Sequence, residues 1–244
     1  RGSDFIFSCA KREKFRKYVG IPSDAVLITV KTSLDELDPA LSVMQGVRLC
    51  MNRLSQVQRS KIRLLICGDG PAQTKLKYEA SDMGLGSQAL FLAQDTAPFL
   101  PDLLSATDIL IEGRWTRKLD PEPLPWHVLG AACSGVHIIV PRGSIADEWL
   151  SRVDVRRIDD VSSTDLAFEL AGLIGRIESA ESRSVTANNA AVLLSAELPA
   201  SILMEALVRE SQQDEKVSRR LGLTTFIKSH QVPVNYKDAR DVLM

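Results

Sequence analysis

The chain has 244 residues, 45% hydrophobic and 25% charged, proportions ordinary for a globular protein that buries a core. Its 30 basic and 31 acidic side chains leave a formal net charge of −1, so nothing in the charge balance points to a nucleic acid or an anionic membrane as the main partner. No apolar run approaches the roughly 18 residues of a membrane span and no signal peptide is evident, so a cytoplasmic protein is expected.

Arg1-Gly2-Ser3 reads as a tag remnant, and residues 1–24 as a linker with one N-terminal helix. That helix, about Lys11 to Val19, is basic and amphipathic and stops at Gly20; its basic face is expected to be solvated. From Ala25 an alternation begins. Ala25 to Val30 is β-rich, and Pro39 to about Val57 carries a helical apolar stripe through Leu41, Met44, Val47, Leu49 and Leu54. Ile62 to Cys67 is a second strand, and Gly68-Asp69-Gly70-Pro71 turns into a helix that ends near Met83. Ala89 to Ala93 is a third strand, Phe99 to Ser105 a short helix and Asp108 to Ile111 a fourth strand.

Trp126 to Cys133 reads as a helix of small residues, Val136 to Val140 as an inner strand, Ile145 to Leu150 as a helical turn and Val155 to Ile158 as an edge strand. Strands and helices alternating at this spacing predict an α/β fold, a doubly wound and mostly parallel Rossmann-like sheet of about six strands. Ser162-Ser163-Thr164-Asp165 caps a helix over Leu166 to Ile177, and two further helices are expected near 184–194 and 199–217, a helical C-terminal extension. The expected domain spans 25–210, with 211–244 as a tail or strap.

Cys9, Cys50, Cys67 and Cys133 are widely spaced with no C-x-x-C, as in a reduced protein with buried thiols. His127, His137 and His230 have no ligand spacing, so no metal is expected. The Gly68-Asp69-Gly70 turn lacks the third glycine of a dinucleotide fingerprint.

Ile62 to Pro71 resembles the strand-turn-helix pattern of the retaining, nucleotide-sugar-dependent GT-B glycosyltransferases of group 1, also called family 4. The resemblance continues in order through Met83 to Ala93, Leu103 to Ile111, Glu122 to Val140, Gly143 to Glu148 and Asp160 to Ile177. It implies a C-terminal, donor-binding domain that holds a nucleoside diphosphate sugar at the carboxyl edge of its sheet. An N-terminal acceptor-binding domain or subunit would complete the enzyme. The sugar would go to a glycan or lipid-linked acceptor, with no metal cofactor.

Carried over by position, Glu122 matches the first acid of the family's E-x7-E motif, the one that contacts the donor sugar. The second acid, a ribose contact in the family, falls on Gly130, and a phosphate-facing glycine falls on Pro125. Nucleotide contacts are expected from Lys31, Gly68, Gly70, Ala93 and Gln94, from Arg114 in the basic segment Arg114 to Lys118, and from the helix start at Pro125 and Trp126. Lys31 stands alone where the family has a basic pair, and Asp35, Glu36 and Asp38 follow it. Glu112 is the other candidate for the first acid, but its spacing to Ala131-Ala132 is too long, which favours Glu122. Two readings follow: a donor domain of a working transferase, or a catalytically inactive binding or scaffolding relative that keeps the architecture.

Overall fold

The computed structural model describes residues 7–93, 100–113, 126–144, 146–147, 150, 153–158 and 162–177. Glu122, Gln94, Arg114, Pro125 and the helices expected beyond 178 lie outside the described residues, as does the side chain of Trp126. The described chain runs α1 (Cys9–Val19), β1 (Val26–Lys31), α2 (Asp38–Asn52), α3 (Gln56–Lys61), β2 (Ile62–Cys67), α4 (Gln73–Asp82), β3 (Ala89–Leu92), α5 (Leu100–Ala106), β4 (Ile109–Glu112), α6 (Trp126–Cys133), β5 (His137–Pro141), β6 (Arg156–Ile158) and α7 (Ser163–Ile174).

The six strands form one sheet in the order β3-β2-β1-β4-β5-β6, and every pairing is parallel. The alternation in sequence thus becomes an α/β sheet with helices on both faces, as expected. β1 is central, so its side chains alternate between two apolar layers rather than between core and water. Ile28 and Val30 join the layer covered by α2, α4 and α7, while Leu27 joins the layer under α1 and α5. The α6 side of the sheet is filled by Leu110, Ile138 and Val140 against Val128, Leu129, Ala131 and Ala132.

Two helix assignments change. The helix expected to run from Pro39 to Val57 ends at Asn52, and the separate α3 that follows buries none of its residues; Leu49, expected on the apolar stripe, is 41% exposed because it falls off the face that packs on the sheet. Ser55 accepts from Gln58 N–H at 3.3 Å while Gln58 Oε1 accepts from Ser55 N–H at 3.1 Å, a reciprocal cap that starts a new helix. The α1 basic face is also not simply solvated. Arg16 is 2% exposed, and its guanidinium donates to the carbonyls of Ala106, Pro22, Ser23 and Ala25. It also donates to Asp108 Oδ2 at 2.7 Å, and Arg12 Nη1 lies 2.9 Å from Asp108 Oδ1. Asp108 further accepts from Leu27 N–H at 2.8 Å, so one buried acid pins α1 to the start of β1 and β4. Lys14, by contrast, is largely exposed and meets Asp102 at 3.1 Å.

Among the described residues no helix is long and apolar enough to cross a membrane. Cys50 and Cys67 are buried, and burial pushes their thiols up to about 11 and about 12. Both are protonated near neutral pH and unsuited to nucleophilic chemistry.

Candidate functional site

In an open parallel sheet, ligands bind outside the carboxyl ends of the strands where the strand order reverses. Here the chain builds β1, β2 and β3 outward in one direction, then returns to place β4 on the other flank of β1. The reversal therefore lies between β1 and β4. Register puts Lys31 opposite Glu112 across this junction and opposite Cys67 on the other side. Three polar or ionisable groups thus share one sheet face at the carboxyl edge.

The loop after β1 is fixed by its neighbour after β2. Thr32 N–H donates to Cys67 C=O at 3.1 Å, Leu34 N–H to Asp69 C=O at 3.1 Å, and Ala72 N–H to Leu34 C=O at 2.9 Å. Leu34 is fully buried beneath this seam. A Cβ at Gly68 would stand 1.9 Å from Thr32 C=O oxygen, and one at Gly70 would stand 2.3 Å from Leu34 C=O oxygen. Chain-on-chain contact therefore accounts for both glycines. Gly113, just past β4, is similarly confined, with a Cβ meeting Thr32 Cβ at 2.7 Å and Lys31 C=O oxygen at 2.9 Å. Thr32 Oγ1 donates to Gly113 C=O at 3.3 Å, closing the β1–β4 edge.

Lys31 is half-buried at the end of β1, and its charge acts on the Cys67 thiol of β2. Asp35, Glu36 and Asp38, which follow it, are all exposed, and Ser33 Oγ donates to the Asp35 carboxylate. In water-like surroundings each such acid opposes a phosphate 4 Å away by only about 1 kcal/mol, less in salt. Ala93 follows β3, two strands from the β1–β4 junction. α6 begins at Trp126, and Gly130 sits buried in its middle.

One contact was not foreseen from the sequence. His127, in the first turn of α6, places Nε2 2.9 Å from Glu112 Oε2, with the two side chains 8% and 3% exposed. Glu112, passed over as a sugar-contacting acid on grounds of spacing, is thus the described carboxylate nearest the switch point, but it faces a histidine. The spacing of 15 residues between them carries no local signal; only the register of β4 beside the start of α6 joins them.

At the end of β5, Asp147 Oδ2 accepts from Gly143 N–H at 2.9 Å and Asp147 N–H donates to Ser144 Oγ at 3.1 Å. Its other oxygen pairs with Arg157 of β6. Burial would raise this carboxyl, but Gly143, Arg157 and Arg142 together hold it below the usual carboxylate range. The acid in the Gly143 to Glu148 turn therefore ties β5 to β6.

A family model, Glycosyl transferases group 1, matches residues 13–152, more than half of the chain. None of the curated proteins matches by sequence. Among solved structures the chain is similar to HepE from Anabaena in complex with UDP and glucose, at 18% identity and a TM-score of 0.60, covering 80% of this chain and 50% of that one. It is similar to a glycosyltransferase from Rickettsia africae at 13% identity and a TM-score of 0.60, covering 81% of this chain and 53% of that one. It also resembles the C-terminal domain of a group 1 glycosyl transferase, LpcC of Francisella tularensis, at 16% identity and a TM-score of 0.62, covering 81% of this chain and 97% of that domain. The chain thus spans about half the length of the first two and nearly the whole of the isolated domain.

Proposed function

Because the chain belongs to the glycosyl transferases group 1 family, we propose that it is the donor-binding half of a retaining glycosyltransferase that takes a nucleoside diphosphate sugar. The observation that carries this reading is the reversal of strand order between β1 and β4, where Lys31 and the start of α6 share the carboxyl edge. Backbone N–H groups at the start of α6 are free of intrahelical partners and suit a diphosphate. Lys31 adds a cation on the same edge, and Arg114 a second from the segment before Glu122. Such fixed charges favour departure of the nucleoside diphosphate, whose negative charge grows as the glycosidic bond breaks. HepE, similar in fold, is described in complex with UDP and with UDP-glucose, which supports a nucleotide sugar as the ligand class here.

In this reading Glu122 contacts the donor sugar, Gln94 and Ala93 lie toward the base, and Pro125 and Trp126 toward the diphosphate. An acceptor-binding domain or subunit supplies the glycan or lipid-linked acceptor. Gly130 favours the second reading, an inactive binding relative, because glycine has no side chain with which to hold a ribose.

Comparing UDP-glucose with UDP by calorimetry tests the role of Glu122. Glu122→Ala is expected to weaken UDP-glucose about tenfold, roughly 1.4 kcal/mol, and to leave UDP within about twofold, since only the sugar contact is lost. Equal affinity of the wild type and the variant for UDP-glucose would remove Glu122 from the site.

A further inference from the structure

Thr32 is the first residue beyond two strand pairings at once. The β1–β2 ladder ends with Lys31 opposite Cys67, and the β1–β4 ladder ends with Lys31 opposite Glu112. The main chain of Thr32 serves the β2 flank: its N–H donates to Cys67 C=O at 3.1 Å, and its C=O oxygen packs against Gly68. The side chain serves the β4 flank. Thr32 is 8% exposed, and its hydroxyl donates to Gly113 C=O at 3.3 Å while also reaching Ser33 C=O at 3.2 Å. Only a glycine fits opposite, because a Cβ at Gly113 would press on Thr32 Cβ at 2.7 Å and on Lys31 C=O oxygen at 2.9 Å.

Among the described residues the β1–β4 register stops at Glu112, and past it the Thr32 hydroxyl holds the departing chain. Arg114 follows Gly113 directly, and consecutive Cα atoms stand about 3.8 Å apart. Where Gly113 is held therefore limits where the Arg114 guanidinium can reach. Lys31, followed by Asp35, Glu36 and Asp38, leaves a diphosphate on this edge short of positive charge. A second cation contributes more when its approach is fixed in advance, because less freedom is lost on binding.

Resting on the donor-binding reading above, we propose that Thr32 is a positioning residue for the nucleotide. By holding Gly113 through its hydroxyl, it directs Arg114 onto the diphosphate beside Lys31. Thr32 itself touches no phosphate in this role; it acts through Arg114. Valine at this position keeps the branched shape and loses the donor, whereas serine keeps the donor and loses the methyl.

The test titrates the whole chain with UDP, GDP and ADP by calorimetry, then carries the bound nucleotide into the variants. Thr32→Val is expected to weaken it about tenfold, and Thr32→Ser to stay within about twofold of wild type. Arg114→Ala is expected to cost about tenfold in the wild type, roughly 1.4 kcal/mol. In the Thr32→Val background the same change should cost under about twofold, since the guanidinium is already misdirected. A hydroxyl that only stabilised the fold would give independent losses that multiply. Three results each overturn the proposal while leaving donor binding intact. They are a Thr32→Val protein that binds as wild type, a Thr32→Ser protein that binds as poorly as Thr32→Val, and an Arg114→Ala cost that is absent from the wild type or undiminished beside Thr32→Val. If circular dichroism shows Thr32→Val to be unfolded, Thr32→Ala against Thr32→Ser isolates the same hydroxyl. Loss of the Arg114 contribution in Thr32→Ala supports the role, and its retention overturns it. Failure of all three nucleotides to bind the wild type overturns the donor reading, and the role of Thr32 with it.

Discussion

Asp108→Ala is expected to destabilise the domain by about 3–5 kcal/mol, the cost of breaking a buried ion pair from one side. Asp108 is 6% exposed and Arg16 2%, so the guanidinium left behind loses its contacting counter-charge and keeps only the weaker field of Asp24. Burial pulls the Arg16 pKa down and Asp108 opposes that pull most strongly; removing the acid leaves the penalty largely unopposed. The same change orphans the Leu27 N–H, which donates to Asp108 at 2.8 Å at the start of the central strand. Carbonyls of Pro22, Ser23, Ala25 and Ala106 still accept from Arg16, but they supply dipoles and no charge. Against a total stability of about 5–15 kcal/mol, this is a loss that urea unfolding at 25 °C resolves easily. Lys14→Ala is the control: its pair with Asp102 is exposed on the lysine side and contributes under about 1 kcal/mol. Equal effects from the two changes would mean that the Asp108 cluster is not the anchor of α1.

Gly68→Ala is expected to cost about 3 kcal/mol or more and to disturb the carboxyl edge. Its Cβ would stand 1.9 Å from a backbone oxygen of Thr32, and a backbone oxygen cannot swing aside as a side-chain tip can. The loop after β1 must shift, breaking the seam formed by Thr32 N–H to Cys67 and Leu34 N–H to Asp69. Because Thr32 also holds Gly113, the shift reaches both strands of the reversal point, so nucleotide affinity should fall together with stability. Gly172→Ala is the matching control. Nothing lies within 4 Å of its would-be Cβ, it sits inside α7, and the change should stabilise by up to about 1 kcal/mol through helix propensity. Thermal unfolding of the two variants side by side separates collision from propensity.

Much of the fold was legible because parallel strands buried on both faces read as short apolar runs, and Ile62 to Cys67 or Asp108 to Ile111 can be little else. Strand ends fell within a residue or two, since Gly68 and Gly135 interrupt the runs. The break between α2 and α3 was available in Ser55 and Gln58 but was masked by Leu54 and Val57, which keep helical spacing across it although Val57 is exposed. What was not legible depends on partners far apart in sequence. The stripe of α1 cannot tell that Asp108 will lie beneath Arg12 and Arg16. Glu112 and His127 meet only because β4 pairs with β1 and α6 starts beside it. At the site, Lys31 ends β1 on the carboxyl edge, and the Gly68 and Gly70 turn packs against the Thr32–Leu34 backbone, a contact between loops that the glycine spacing alone does not announce.

The central claim is that the edge between β1 and β4 holds a nucleoside diphosphate, and titration of the chain with UDP, GDP and ADP at pH 7 tests it most directly. At least one is expected to bind at a single site with a dissociation constant below about 1 mM, better than about 4 kcal/mol. Absence of binding by all three at millimolar concentration would contradict it.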